Sequence, residues 1–173
     1  STRAGPPQIY VMGADGTNPE LLVPFDFGVT GSSNAPEWSP DGTSIAFHRE
    51  VSGSPQVFIM DVASRRVRQL TSSGRNEDPT WAPDSVRFAY LSTNDGNGGD
   101  LECAEVWVGA IDGRPPVKIT DFASNPDGAE GCASSVRWSP TDDRILVQTV
   151  GKPIFVVENL YVPRTVPVIG YSL

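Results

Sequence analysis

The stretch "APEWSPDGTSIAF", residues 35–47, decides the fold. Trp38 leads into Ser39, Pro40, Asp41 and Gly42, and a short apolar run follows. Proline suits the second position of a tight turn, and Asp and Gly the later ones, so the phrase reads as strand, turn, strand. It returns as "DPTWAPDSVRFAY" at 78–90 and as "SSVRWSPTDDRILV" at 134–147. The second copy keeps Trp81, Pro83 and Asp84 but has Ala82 and Ser85 at the Ser and Gly positions. The third keeps Trp138 and Pro140, with Thr141 and Asp142 at the Asp and Gly positions.

The tryptophans are 43 and 57 residues apart, but other positions are more even. "QIYVMGADG", "QVFIMDVAS", "EVWVGAIDG" and "PIFVVENLY" align with Tyr10, Phe58, Trp107 and Phe155 at spacings of 48, 49 and 48. Leu22, Leu70, Ile119 and Val168 follow at 48, 49 and 49. Two series in register, together with the tryptophan phrase, define a repeat of about 48 residues.

Each unit reads as four short strands. Strand A ends at the tryptophan, strand B is "SIAFH", "RFAYL" or "RILVQ", strand C is the aromatic run, and strand D is the "QLT" type segment. One four-stranded sheet cannot bury both faces, and stacking such units does. The residues W-S-P-D-G, I-A-F, I-Y-V-M and L-T resemble the TolB-like β-propeller repeat, which also occurs in the propellers of prolyl oligopeptidase-type and tricorn-type proteases. The expected fold is an all-β propeller of antiparallel four-stranded blades. Its blades span about 8–25 (partial), 35–73, 78–122 and 133–173, within one domain over 1–173. That is 14 strands, or three and a half blades, while a closed ring needs at least four. A piece of a larger propeller is the favoured arrangement. A small closed ring, or self-association that covers the open blade faces, is the alternative.

The chain has 173 residues, 17 glycines, 16 prolines and a net charge of −8. Dense Gly and Pro suit short strands and tight turns. Nucleic-acid binding needs clustered Lys and Arg, and the longest basic run is Arg65-Arg66. No apolar run is long enough to cross a bilayer as a helix. The start, "STRAGPPQIY", shows no signal peptide and reads as a mature or trimmed form.

The 57-residue gap holds two insertions, 93–104 between strands B and C and 121–133 between strand D and the next strand A. Strand direction alternates, so both exit on one face. Each carries one of the two cysteines, Cys103 and Cys132, so a disulfide is expected, with two unrelated buried thiols as the alternative. A disulfide implies an oxidising compartment, and the TolB resemblance also implies an extracytoplasmic, periplasmic or secreted, location. The insertions are acidic: Asp95, Asn97, Asp100, Glu102, Asp121, Asp127 and Glu130 form the candidate binding face, with Glu105 counted among its charges. Asp95, Asn97 and Asp100 also suit an oxygen-ligand calcium loop in part, against the reading of a solvated Gly-rich turn.

The one histidine, His48, reads as a strand-end rim residue, and no G-x-S-x-G elbow accompanies it. Trp38, Trp81, Trp107 and Trp138 are expected in the core between blades. The expected function is a non-catalytic scaffold binding a protein or peptide through the acidic insertion face. The alternatives are an accessory, gating propeller of a prolyl oligopeptidase-type hydrolase or a carbohydrate-active propeller using loop carboxylates.

Overall fold

The computed structural model describes residues 7–23, 31–94, 100–122, 131–150, 155–157 and 171–172. Among them are 14 strands, β1 to β14. Strands β1 (Tyr10–Val11) and β2 (Glu20–Leu21) pair alone. Three four-stranded antiparallel sheets follow. The first is β3 (Ser33–Trp38), β4 (Ser44–Val51), β5 (Ser54–Asp61) and β6 (Val67–Gln69). The next is β7 (Asn76–Trp81), β8 (Arg87–Asn94), β9 (Asp100–Ala110) and β10 (Val117–Lys118). The last is β11 (Ala133–Trp138), β12 (Ile145–Thr149), β13 (Phe155–Val157) and β14 (Tyr171–Ser172). Each sheet keeps its strands in sequence order, so the chain is a C–D pair followed by three A-to-D blades.

The registers repeat. Trp38 lies opposite Ile45, Trp81 opposite Phe88, and Trp138 opposite Ile145. Phe58 faces Gln69 and Trp107 faces Lys118, as the aligned series require. The last blade differs: Ser172 takes the place of Gln69 opposite Phe155. Strand D therefore falls five residues later than the Val168 alignment puts it.

Blades stack through alternate faces of strands B and C. Ile45, Phe47, Phe58 and Met60 face back onto Ile9, Leu22 and Val23 of the first pair. Ala46, Val57 and Ile59 face forward onto Trp81, Phe88, Tyr90 and Trp107. Ala82, Ala89, Leu91 and Val106 in turn meet Val136, Trp138, Ile145 and Val147. The pattern follows from period-two alternation, with a small residue, Ala46 or Ala89, set where the next blade brings its indole.

Trp81 and Trp138 each lean on the blade before their own. The Trp81 backbone N–H donates to Glu37 Oε1 (3.0 Å) and its indole Nε1 to the Glu37 carbonyl (3.1 Å). The Trp138 N–H donates to Thr80 Oγ1 (3.2 Å), and Arg87 stacks over the Trp138 ring at 5.1 Å. Trp81, Trp107 and Trp138 are buried, as expected. Trp38 is not: it is 49% exposed, against 3% for Trp81. The first pair has only its C and D strands among the described residues, so no A–B pair covers the Trp38 indole.

Strand D is held by a device the sequence reading passed over. Thr71 Oγ1 accepts the Val57 N–H (2.8 Å) and donates to Gln56 Oε1 (2.9 Å). Thr120 Oγ1 accepts the Val106 N–H (2.8 Å) and donates to Glu105, which is fully buried. One hydroxyl extends the backbone ladder past the short strand and satisfies a buried polar side chain.

The A–B corners are carboxylate-capped turns. Asp41 Oδ1 accepts from Ser39 Oγ (2.6 Å), Thr43 N (3.0 Å) and Thr43 Oγ1 (2.9 Å). Gly42 sits at φ +72°, and Ser85 at the matching position takes +57°, a strained value for a residue with a side chain. Asp84 accepts the Val86 and Arg87 N–H groups, and Asp142 accepts from Arg144. The bonds from Ser39 and Thr43 hold the Asp41 carboxyl below the usual carboxylate range. The Arg144 side chain, with Ser139, holds Asp142 at about 2. A folded pKa below the unfolded one contributes stability at higher pH, lost as pH falls through the folded value. The thermal midpoint is therefore expected to drop between about pH 4 and pH 2, and less steeply in an Asp41→Asn, Asp142→Asn variant. A scanning-calorimetry profile flat across that window would contradict the role given to these caps.

Candidate functional site

The B–C and D–A connections emerge together, and a repeated glycine packs one against the other. Gly31, Gly74 and Gly131 each stand seven residues before a tryptophan. A Cβ on Gly31 would lie 2.3 Å from Glu50 Cβ, one on Gly74 2.9 Å from Asn94 N, and one on Gly131 2.1 Å from Val150 O. The chain entering strand A therefore passes directly against the end of strand B of its own blade. The signal G-x-x-x-x-x-x-W was present in the sequence and was not read there. Local bonds fix the contact: Arg75 N donates to Thr93 Oγ1 (3.0 Å), Asn94 Nδ2 to Ser73 Oγ (2.5 Å), and Val150 N to the Cys132 carbonyl (3.1 Å).

On this face Cys103 and Cys132 form a disulfide. Cys103 lies on β9 and Cys132 enters β11, so the bond ties the B–C hairpin of one blade to the D–A connection leading into the next. The topological expectation is met: both cysteines are used, and none is free.

The acidic residues divide. Asp95, Asn97, Asp127 and Glu130 lie outside the described residues. Asp100 and Glu102 lie on β9, where Asp100 pairs with Asn94 across the hairpin. Segment 93–104 is thus mostly strand rather than loop: β8 runs to Asn94 and β9 starts at Asp100. The extra residues lengthen the hairpin because its cross-strand pairing continues outward. Asp121 is exposed and pairs with Lys118 at 2.9 Å, so its charge is partly offset. Glu105 is no part of the surface, since it lies buried against Thr120. A count of charges along the chain does not separate the two faces of a strand.

Three further carboxylates serve the junction between the β7–β10 and β11–β14 blades. Asp78, at φ +52° in a bulge of β7, accepts from Ser135 Oγ (2.9 Å), Val136 N (3.1 Å) and Arg137 Nη1 (2.7 Å) of the next blade. Arg87 bridges Asp84 (2.5 Å) and Asp143 (2.7 Å) across the same junction. His48 is not at a strand end. It sits within β4, half-buried, and its Nδ1 accepts the Asp78 backbone N–H at 3.3 Å. Burial lowers its pKa, and a neutral ring is what can accept that bond. No group of three or more His, Cys, Asp or Glu placed to hold a metal occurs among the described residues.

Stacked four-stranded blades joined by a repeated tryptophan corner define a β-propeller segment. Its family is specific: the model of the TolB beta propeller domain matches residues 1–141, and the chain belongs to that family. A protein TolB homolog of Chlorobium luteolum is 32% identical over 145 residues, covering 80% of this chain and 31% of that protein. The Tol-Pal system protein TolB of Alcanivorax borkumensis is 32% identical over 95 residues, covering 54% of this chain and 21% of that protein. The crystal structure of TolB from Acinetobacter baumannii superposes with a TM-score of 0.63 at 22% identity, over 87% of this chain and 34% of that one, a likeness of fold. The chain spans between a fifth and a third of the length of these curated relatives. The extracytoplasmic location expected from the sequence fits both the family and the closed disulfide.

Proposed function

We propose that the chain is a protein-binding propeller segment that acts by contact, presenting the disulfide-bearing face to its partner. The observation that carries this is the Cys103–Cys132 clamp, which fixes two connections from adjacent blades as one surface on a rigid scaffold. Asp95, Asn97, Asp100, Glu102, Asp121, Asp127 and Glu130 would give that surface its negative sign, and a basic patch on a partner its complement. Membership of the TolB family supports contact rather than chemistry, and a relative named as a Tol-Pal system protein makes components of that system the first partners to test. The use of Glu105 inside its own blade, and of Asp78, Asp84 and His48 in blade junctions and turns, supports a non-catalytic role as well.

Calorimetric titration of the chain with purified Tol-Pal components of its source organism tests this. Binding is expected to weaken about tenfold on combining Asp100→Asn, Glu102→Gln and Asp121→Asn, and to weaken with added salt. Binding indifferent to those changes would remove the acidic face from the reading. Glycan turnover by the chain that disappears with Asp95→Asn or Asp100→Asn would replace it with an enzymatic one.

A further inference from the structure

The junction between the β3–β6 and β7–β10 blades does not close fully. One junction earlier, the cross-strand neighbours Ile45 and Met60 fill the space against Ile9, Leu22 and Val23. The same two positions are next occupied by Phe88 and Gly109. The Phe88 ring folds over Gly109 so closely that a Cβ there would lie 2.7 Å from Phe88 Cζ. One ring over a glycine does not span the width of two long aliphatic side chains. What remains is a cleft of about 240 Å³, walled by Leu70, Phe88, Tyr90 and Pro116. Among the described residues its only charged lining is Arg68 and Arg114, in a chain of net charge −8.

Both guanidiniums are exposed and keep donors in hand. Arg68 Nη2 donates to the Ile111 carbonyl (2.9 Å), and Arg114 uses its Nε toward Asp112 (2.9 Å). A guanidinium carries five N–H donors in a fork suited to carboxylates. The cleft is smaller than the roughly 300–1,000 Å³ of small-molecule sites and matches a single inserted side chain. Beside it β6 is the outermost strand of its sheet, with all three residues exposed and one edge unpaired by any strand among the described residues. An extended segment laid on such an edge gains main-chain hydrogen bonds and places alternate side chains inward.

We propose that this cleft binds an acidic peptide segment bearing one aromatic residue. The ring enters against Leu70, Phe88 and Tyr90, and flanking carboxylates meet Arg68 and Arg114. The site lies by the C–D turn that ends β9, at the opposite end of that strand from the disulfide face, and does not depend on the function proposed for that face.

Fluorescence anisotropy with a short labelled peptide, one Phe flanked by aspartates, tests the proposal on the intact chain. Saturable binding is expected, weakening with salt, and absent when lysines replace the aspartates. Combining Arg68→Glu and Arg114→Glu should weaken it at least about tenfold. Combining Phe88→Ile and Gly109→Met places the Ile–Met pair of the earlier junction here and should abolish binding, with the unfolding transition measured alongside to show that the variant is folded. Should that core pair fail to fold, the exposed arginine pair decides alone. Absence of saturable binding up to about 1 mM, or binding that survives either folded variant, would overturn the site.

Discussion

Trp81→Ala is expected to lower the free energy of unfolding by about 3–5 kcal/mol, the range for truncating a large buried aromatic. Trp81 is 3% exposed and packs among Ala46, Val57, Ile59 and Phe88. Its removal leaves a cavity that two rigid sheets cannot collapse to fill, and it strips the indole donor from the Glu37 carbonyl. Trp38→Ala, at the same repeat position, should cost less than about 1 kcal/mol because half of that side chain already meets water. Guanidinium unfolding of both variants, compared by midpoint and slope, measures the contrast. Equal losses at the two positions would mean that Trp38 is covered in solution.

Removal of the disulfide is the second large effect. Cys103 and Cys132 are separated by 29 residues. Closing a loop of that length restricts the unfolded chain by about 3–4 kcal/mol in the entropy model. Combining Cys103→Ser and Cys132→Ser should therefore lower the thermal midpoint by roughly 6–16 °C for a chain of this size. Hydrogen exchange should rise first at the start of β9 and the entry to β11, where the bond joins two connections. A loss below about 1 kcal/mol would mean that the unfolded chain gains little freedom from the cut.

Much of the architecture was legible because it is written locally and then repeated. The carboxylate cap at Asp41 reaches no further than Ser39 and Thr43, and the aromatic series from Tyr10 marks strand C in each unit. The shared face of Cys103 and Cys132 followed from strand direction alone. What escaped depends on neighbours in space. Trp38 and Trp81 sit in nearly the same phrase, and their burial differs because, among the described residues, only Trp81 has strands A and B of a preceding blade to pack on. Glu105 looked like part of an acidic surface, but it occupies the inward phase of β9 and answers to Thr120, 15 residues on. Asp78 showed nothing in its local sequence of the three partners it finds on β11. The glycines before each tryptophan were readable and shared its spacing, yet their reason, backbone against backbone, appears only once the strands are placed.

The junctions have a direction, and the last blade breaks with it. In the two blades before it, the residue ahead of the tryptophan, Glu37 or Thr80, accepts the N–H of the following tryptophan, and an alanine on strand B leaves room for the incoming indole. In the β11–β14 blade those two places hold Arg137, whose side chain has no acceptor to offer, and Leu146, which is 49% exposed. Arg137 turns back to Asp78 instead. Whatever packs on that outer surface therefore meets a guanidinium and a leucine where Trp81 and Trp138 meet an acceptor and an alanine.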